Sequence, residues 1–182
     1  MPAPRLPDRL IPEAARRGVR PWYGDLHNHC GISYGHGSLE GALANARRQL
    51  DFVSVTGHAW WPDMPVDDPR VAHIVDFHVK GFARLASLWP SHFKTLAAYA
   101  EPGRFTVFPG YEMHSCAHGD YTIVLRDLAA QPMVRADSPD GLLEALRAAG
   151  TTRSPRRLIG LRAQTQMTPG RRPGPPGGGA GT

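Results

Sequence analysis

Three short segments of the chain carry residues of the kind that bind metal ions. His27 and His29 are separated by one residue in WYGDLHNH, His58 follows FVSVTG, and Glu112 follows FPGY. Side chains two residues apart in an extended segment point to the same side, so His27 and His29 can share one ion. Imidazole together with carboxylate suits Zn, Mn or Fe and does not suggest a thiolate site. The chemistry that such ligands favour is hydrolysis by metal-activated water.

The candidate ligands come at the ends of predicted β-strands. Runs of β-branched and aromatic residues predict four strands, over residues 22–29, 52–56, 105–108 and 121–125. Three of these strands deliver a ligand to their carboxyl ends, which is where parallel α/β folds place their sites. The ligands are therefore expected to meet at one rim of a mainly parallel sheet.

Three segments between and after the strands have apolar residues at helical spacing. They are GALANARRQL after Ser38, residues 71–100 with a break between two helices at Trp89-Pro90, and the segment from Ser138 to Gly150. The serines can cap the first turns of their helices, and a proline inside a helical segment is expected to interrupt it. The resulting order, βαβααββα, predicts an α/β protein.

The composition predicts one globular domain with an extension at each end. With 182 residues, 41% of them hydrophobic, the chain can bury one core. Residues 1–20 are interpreted as an N-terminal extension, 21–150 as the metal-binding domain and 151–182 as a disordered Arg/Pro/Gly-rich tail. The tail holds six arginines and no acidic residue, and removing them from the net charge of +5 leaves residues 1–150 at about −1. The domain therefore gives no electrostatic reason to expect nucleic acid binding.

The sequence also predicts a cytoplasmic protein without a membrane anchor. No apolar run is long enough to cross a bilayer, and residues 1–20 lack the apolar stretch of a secretory signal. Cys30 and Cys116 are too few for a disulfide framework, and we expect them to stay reduced inside a cell.

Three segments together resemble the opening motifs of the PHP (polymerase and histidinol phosphatase) domain family. They are YGDLHNH, DFVSVTGH and FPGYEMHSCAHGDYTIVL, and the resemblance spans roughly residues 21–126. It implies a distorted TIM-like (β/α)7 barrel that holds two or three divalent metal ions and hydrolyses phosphate esters. A small phosphorylated substrate is therefore expected, although the resemblance does not identify it.

The resemblance also implies which residues bind metal. The positions that match the family's ligands are His27, His29, His58 and Glu112. Two further histidines are candidates: His118 matches a histidine that precedes the next strand, and His36 lies near the place where relatives supply an Asp or His. His114, two residues beyond Glu112, is an alternative to His118.

Two departures from the family pattern predict an incomplete copy. Gly57 stands where the family has Asp in Thr-Asp-His, so a residue that supports the site is replaced. No segment after Leu125 supplies the family's later histidine or its closing Asp-x-His. The chain is therefore expected to form a partial barrel, with mainly parallel strands, that does not close.

Three functions remain open from the sequence. The first is a PHP-like phosphoesterase, active if the visible ligands suffice or a second chain completes them. The second is a non-catalytic, truncated remnant that binds one metal or none. The third is an amidohydrolase-type metal hydrolase, whose chains also open with His-x-His, but the position of Glu112 on the third strand favours PHP.

Overall fold

A computed structural model describes residues 17–19 and 21–149, together with the backbone of residues 158–164. Within these residues the protein is mixed α/β, with three α-helices and a sheet that curls into half a barrel. The strands are β1 (Gly24–Asn28), β2 (Phe52–Trp60), β3 (Thr106–Met113), β4 (Asp120–Leu125) and β5 (Leu158–Gln164). The α-helices are α1 (Leu39–Gln49), α2 (Ala72–Tyr99) and α3 (Pro139–Ala148), and a 3-10 turn at Pro69–Val71 precedes α2.

The strands lie side by side in chain order, but the sheet is mixed. β1, β2 and β3 are parallel, whereas β3 pairs antiparallel with β4, and β4 pairs antiparallel with β5. The prediction of a mainly parallel sheet is therefore wrong for its second half. Residues 114–119 alone connect β3 to β4, and so short a connection permits a hairpin but no crossover helix.

β2 and β3 both run beyond their predicted ends. β2 continues to Trp60 and β3 to Met113, so His58 and Glu112 lie inside strands and not after them. The parallel register places His58 directly beside Glu112. The two strands thus remain paired as far as the residues that carry chemistry.

Serine caps the first and last helices, as predicted. The Ser38 hydroxyl accepts a hydrogen bond from Gly41 N at 3.0 Å, and the Ser138 hydroxyl accepts one from Gly141 N at 3.1 Å. Each cap satisfies a backbone donor that has no partner within the helix. α1 and α3 therefore begin where local sequence alone places them.

α2 is one helix, and the predicted break at Trp89-Pro90 is wrong. It passes through Pro90 and buries Leu85, Trp89, Phe93 and Leu96 at helical spacing. An interior proline removes one backbone hydrogen bond and costs about 3 kcal/mol. Burial of apolar side chains on both sides of Pro90 offsets that cost and keeps the helix continuous.

The core lies between the sheet and the helices that cover it. Val53 and Val55 of β2 have no exposed surface, and neither have Leu43 of α1 and Leu142 of α3. They belong to one cluster of buried apolar residues that includes side chains of all three helices. This packing fixes the strands that carry the candidate ligands.

The two extensions fall largely outside the described residues. The N-terminal extension lies outside the described residues up to residue 16. The predicted disordered tail lies outside them except for residues 158–164. Those seven residues form β5, where the composition predicts disorder. They contain the tail's Leu and Ile residues, and the edge of β4 offers backbone groups for pairing.

Two further observations concern membrane contact and thiols. In the part of the chain that the structure describes, no helix combines the length and apolar character needed to span a bilayer. Cys30 is buried, Cys116 is exposed, and both are free thiols.

His92 of α2 is a buried histidine, and we expect it to make folding sensitive to acid. It is 3% exposed, its ring stacks on Trp89, and burial lowers its pKa from 6.5 to about 4. Below pH 6.5 the unfolded state therefore binds a proton that the folded state does not. Stability should fall as the pH drops from 6.5 towards 4, by about 1.4 kcal/mol at pH 5.5 from this residue.

Urea unfolding of the chelator-treated protein at pH 7.5 and pH 5.5 measures this effect. His92→Phe keeps an aromatic ring beside Trp89 but has no site to protonate, so it should lose less stability on acidification than the parent protein. The other histidines are the same in both proteins and cancel from the comparison. Equal losses in the two proteins would show that His92 does not contribute.

Candidate metal centre

The strands bring four of the predicted ligands to one rim of the sheet. His27 lies in β1, His29 just after it, His58 in β2 and Glu112 in β3. Glu112 is the centre of the arrangement, with 3% of its side chain exposed. Because neighbouring parallel strands run in register, their side chains face the same side of the sheet.

The first ligand group consists of His27, His29 and Glu112. The Nε2 atoms of the two histidines are 3.3 Å apart. His27 Nε2 lies 3.6 Å from Glu112 Oε1, and His29 Nε2 lies 3.4 Å from Oε2. Three potential ligand atoms within 4.8 Å of one another could hold a metal ion.

The second ligand group consists of His58, Glu112 and His114. His58 Nδ1 is 2.9 Å from Glu112 Oε2. Glu112 and His114 are buried, and His58 is half-buried. Glu112 is thus common to both groups, as a carboxylate that bridges two metal ions would be.

Two buried polar atoms of the second group lack hydrogen bonds, and this fits a metal site. Among the described residues, neither His58 Nδ1 nor Glu112 Oε2 has a hydrogen-bond partner, although both are buried. The two atoms lie 2.9 Å apart. Buried polar atoms without partners cost free energy, and a cation held between them would satisfy both.

Burial keeps the histidines in the form that binds metal. Burial, followed by the neighbouring His58, lowers the pKa of His29 to about 4. Burial, followed by the nearby His114, lowers the pKa of His58 to about 3. Both imidazoles are therefore neutral near pH 7, with a lone pair to donate.

Glu112 experiences opposing influences. Burial raises the pKa of its carboxyl, while His27, His114 and His29 partly counteract this effect. A divalent cation would favour the ionised carboxylate more strongly than these imidazoles do. Metal binding and ionisation of Glu112 are thus expected to support each other.

Two threonines orient His27. Its Nδ1 lies 2.8 Å from Thr56 Oγ1 and 3.0 Å from Thr122 Oγ1. When Nδ1–H donates to these hydroxyl oxygens, the lone pair of Nε2 faces Glu112. Gly57, which follows Thr56 in β2, has little free space, since a Cβ there would lie 3.0 Å from Ile32 Cγ1.

His114 is held at both ring nitrogens. Its Nδ1 lies 3.0 Å from Asp120 Oδ1, and its Nε2 lies 3.0 Å from the Tyr34 hydroxyl. Asp120 can accept the Nδ1 proton, so Nε2 is the acceptor for the Tyr34 hydroxyl. Burial, followed by Glu112, raises the pKa of Tyr34, which therefore remains a neutral donor.

Sequence reasoning missed Asp120, Tyr34 and His78 as neighbours of the site. Asp120 could have been found from the hairpin, because Glu112 pairs with Thr122 and residues 114 and 120 follow on the same face. His78 lies on α2 with its ring centroid 5.4 Å from that of His114. Its Nδ1 donates to Ile74 O at 2.8 Å, one turn earlier on the helix. Helical periodicity does not reveal that the ring lies beside His114.

Two predicted ligands stay outside both groups. His36 is exposed in the loop before α1, and His118 is exposed in the turn between β3 and β4. Among the described residues, the ligand groups include neither of them. His114, the alternative to His118, is the histidine that lies beside Glu112.

Comparison with known proteins adds no relative. No protein-family model matches the chain, and no curated protein matches it. The two ligand groups are therefore the observations on which a proposal of function depends.

Proposed function

We propose that this chain is a PHP-like metal-dependent hydrolase that cleaves a phosphate ester. The observation that carries the proposal is the shared carboxylate of Glu112, which joins two His/Glu groups at one strand rim. Shared carboxylates are typical of hydrolases with two metal ions about 3.5–4 Å apart. The resemblance of the strand motifs to the PHP family supports the same reaction class.

The charge of the site favours an anionic substrate. Burial lowers the pKa values of His29 and His58, Glu112 is common to both groups and Asp120 contacts His114, and two divalent ions would outweigh the charge of these two carboxylates. Bound divalent ions lower the pKa of water and neutralise phosphoryl oxygens, which is the chemistry that ester hydrolysis requires. Zn, Mn and Fe all suit the imidazole and carboxylate ligands.

The chain's own residues would hold and orient the reacting groups. Thr56 and Thr122 fix the ring of His27, so that its Nε2 stays directed at Glu112. Asp120 holds the Nδ1 proton of His114, and the Tyr34 hydroxyl donates to His114 Nε2. The contacts with the two threonines and with Asp120 reduce reorganisation when substrate binds, because these side chains are already in place.

A second candidate is a protein that binds one metal ion without turnover. The observation that favours it is the engagement of both His114 nitrogens, by Asp120 and Tyr34. His114 must give up the Tyr34 contact before Nε2 can bind an ion. In the first group, His27 Nε2 and His29 Nε2 contact each other and Glu112, which all belong to that group, so it is expected to bind metal more tightly.

Metal content after dialysis, with phosphoesterase activity in added Mn²⁺, tests the proposal. The double variant His27→Ala/His29→Ala should lose the ion of the first group, since two of its three ligands are gone. We expect its metal content to fall by at least about half and its activity to fall at least about 100-fold.

The matched control is His36→Ala/His118→Ala, which removes two exposed histidines that lie outside both groups. It should keep the metal content and activity of the parent protein. Equal metal content in the two double variants would contradict the assignment of His27 and His29 as metal ligands. Tight binding of one ion with no ester hydrolysis would favour the second candidate.

A further inference from the structure

An apolar surface lies beside the ligand groups at the start of α2. Ile74 and Phe77 are neighbours on the helix and are 38% and 50% exposed. The ring of Tyr34 lies next to Phe77, with the two centroids 4.7 Å apart. His78 flanks Tyr34, with a centroid distance of 4.9 Å. These four side chains are called the apolar shelf below.

The apolar shelf is continuous with the second ligand group. The Tyr34 ring stacks on that of His58 with centroids 4.2 Å apart and planes 9° from parallel. Its hydroxyl contacts His114 Nε2 at 3.0 Å. The Tyr34 ring therefore lies between Phe77 and the candidate metal ligands His58 and His114.

The shelf is also rigid. Tyr34 lies so close to α2 that a Cβ at Gly81 would come within 2.2 Å of Tyr34 Cδ1. The missing side chain at Gly81 leaves room for the ring, which is then fixed between the helix and His58. A surface that is already ordered loses little conformational entropy when a ligand binds.

We propose that the apolar shelf binds an aryl group of the substrate, so that the site acts on phosphate esters of aromatic alcohols. This inference rests on the proposed function. A phosphate held by metal at the second ligand group would leave its aryl group close to Tyr34, whose ring stacks on His58 and lies next to Phe77. Aromatic rings pair favourably edge to face or offset, and the uncharged shelf suits the apolar half of such an ester.

The size and setting of the shelf favour a small ligand over a protein. A stable protein interface buries about 800 Å² on each partner, far more than a few side chains offer. The exposed ion pair between Asp76 and Lys80 makes another side of the same stretch of α2 polar. Sites for small ligands, in contrast, combine apolar surface with a few polar groups that fix orientation, and the shelf adjoins the second ligand group.

Binding of two phosphonates to the metal-loaded protein tests the shelf without turnover. Phenylphosphonate and methylphosphonate carry the same anionic group, and their P–C bond resists hydrolysis, so they differ only in the ring. Titration calorimetry should give phenylphosphonate roughly tenfold tighter binding. Phe77→Ala should reduce this preference to about twofold and leave methylphosphonate binding unchanged.

Two variants on the same helix sharpen the result. Phe77→Leu keeps an apolar side chain without a ring and should retain an intermediate preference. Val79→Ala, at a residue that is 47% exposed and on another side of α2, should keep the full preference. Metal content should be unchanged in all three variants.

The outcomes separate the shelf from the site. Binding of both phosphonates without preference, or a preference that survives Phe77→Ala, would overturn the aryl assignment alone. Failure of the metal-loaded parent protein to bind either phosphonate would reject the phosphate site, and the aryl assignment with it.

Discussion

Replacing Glu112 with glutamine is expected to remove metal binding from both ligand groups and to leave the fold intact. Oε1 faces His27 at 3.6 Å, while Oε2 faces His29 at 3.4 Å and His58 at 2.9 Å. The amide keeps the shape of the side chain but is uncharged and a weaker ligand. Affinity should fall at least about 100-fold, since changes to groups that merely orient ligands cost about 10- to 100-fold.

The fold should survive because burial of the Glu112 carboxylate is unfavourable in the metal-free protein. Burial raises the pKa of its carboxyl, and its Oε2 lacks a hydrogen-bond partner within the described part of the chain. Replacing a buried carboxylate with a neutral group removes that cost. The melting temperature of metal-free Glu112→Gln should therefore equal or exceed that of the parent protein.

Thermal unfolding with and without metal measures both effects. At 100 times the parent's dissociation constant, an ion should stabilise the parent protein by about 2.7 kcal/mol, whereas a variant that binds at least about 100-fold more weakly should gain at most about 0.4 kcal/mol. Glu144→Gln makes the same change at an exposed position of α3 and should respond to metal as the parent does. Equal stabilisation of Glu112→Gln by metal would contradict a site built on this carboxylate.

Features of the fold that depend on a few adjacent residues could be predicted from the sequence. The caps at Ser38 and Ser138 need only a hydroxyl and the next turn of backbone. The direction of β4 and the continuity of α2 through Pro90 could not be predicted in the same way. Continuity of α2 depends on packing between distant segments, which overrides the local preference, and the direction of β4 depends on how far β3 extends before the short connection at residues 114–119.

The same distinction applies to the site. His27, His29, His58 and Glu112 follow strand-like runs, and the strands bring them together as parallel pairing requires. His118 occupies the position along the chain that the family resemblance gives to a metal ligand. In the structure it lies in a turn, outside both ligand groups. His114 and Asp120 approach the site only because β3 and β4 form a hairpin, and His78 only because α2 packs beside them. Whether these residues bind metal remains a prediction.

Trp89→Ala is expected to have the largest effect on stability, because Trp89 connects three parts of the fold. It is 6% exposed and lies edge to face with Phe93 and with Tyr111 of β3. Its Nε1–H donates to Gln131 O at 2.7 Å, which anchors the segment between β4 and α3. Loss of the ring and of this bond should cost about 4–5 kcal/mol, close to the entire stability of many domains.

Burial of Trp89 also explains why α2 tolerates Pro90, and this gives the prediction its control. Urea unfolding should show a loss of under about 1 kcal/mol for Leu88→Ala, since the neighbouring Leu88 is 40% exposed. Trp89→Phe should fall between the two, because it keeps packing and loses only the hydrogen bond and part of the area. If burial at residue 89 holds the helix together across Pro90, then Trp89→Ala/Pro90→Ala should recover helical content that Trp89→Ala loses. Without such a recovery by circular dichroism, the continuity of α2 must depend on other contacts.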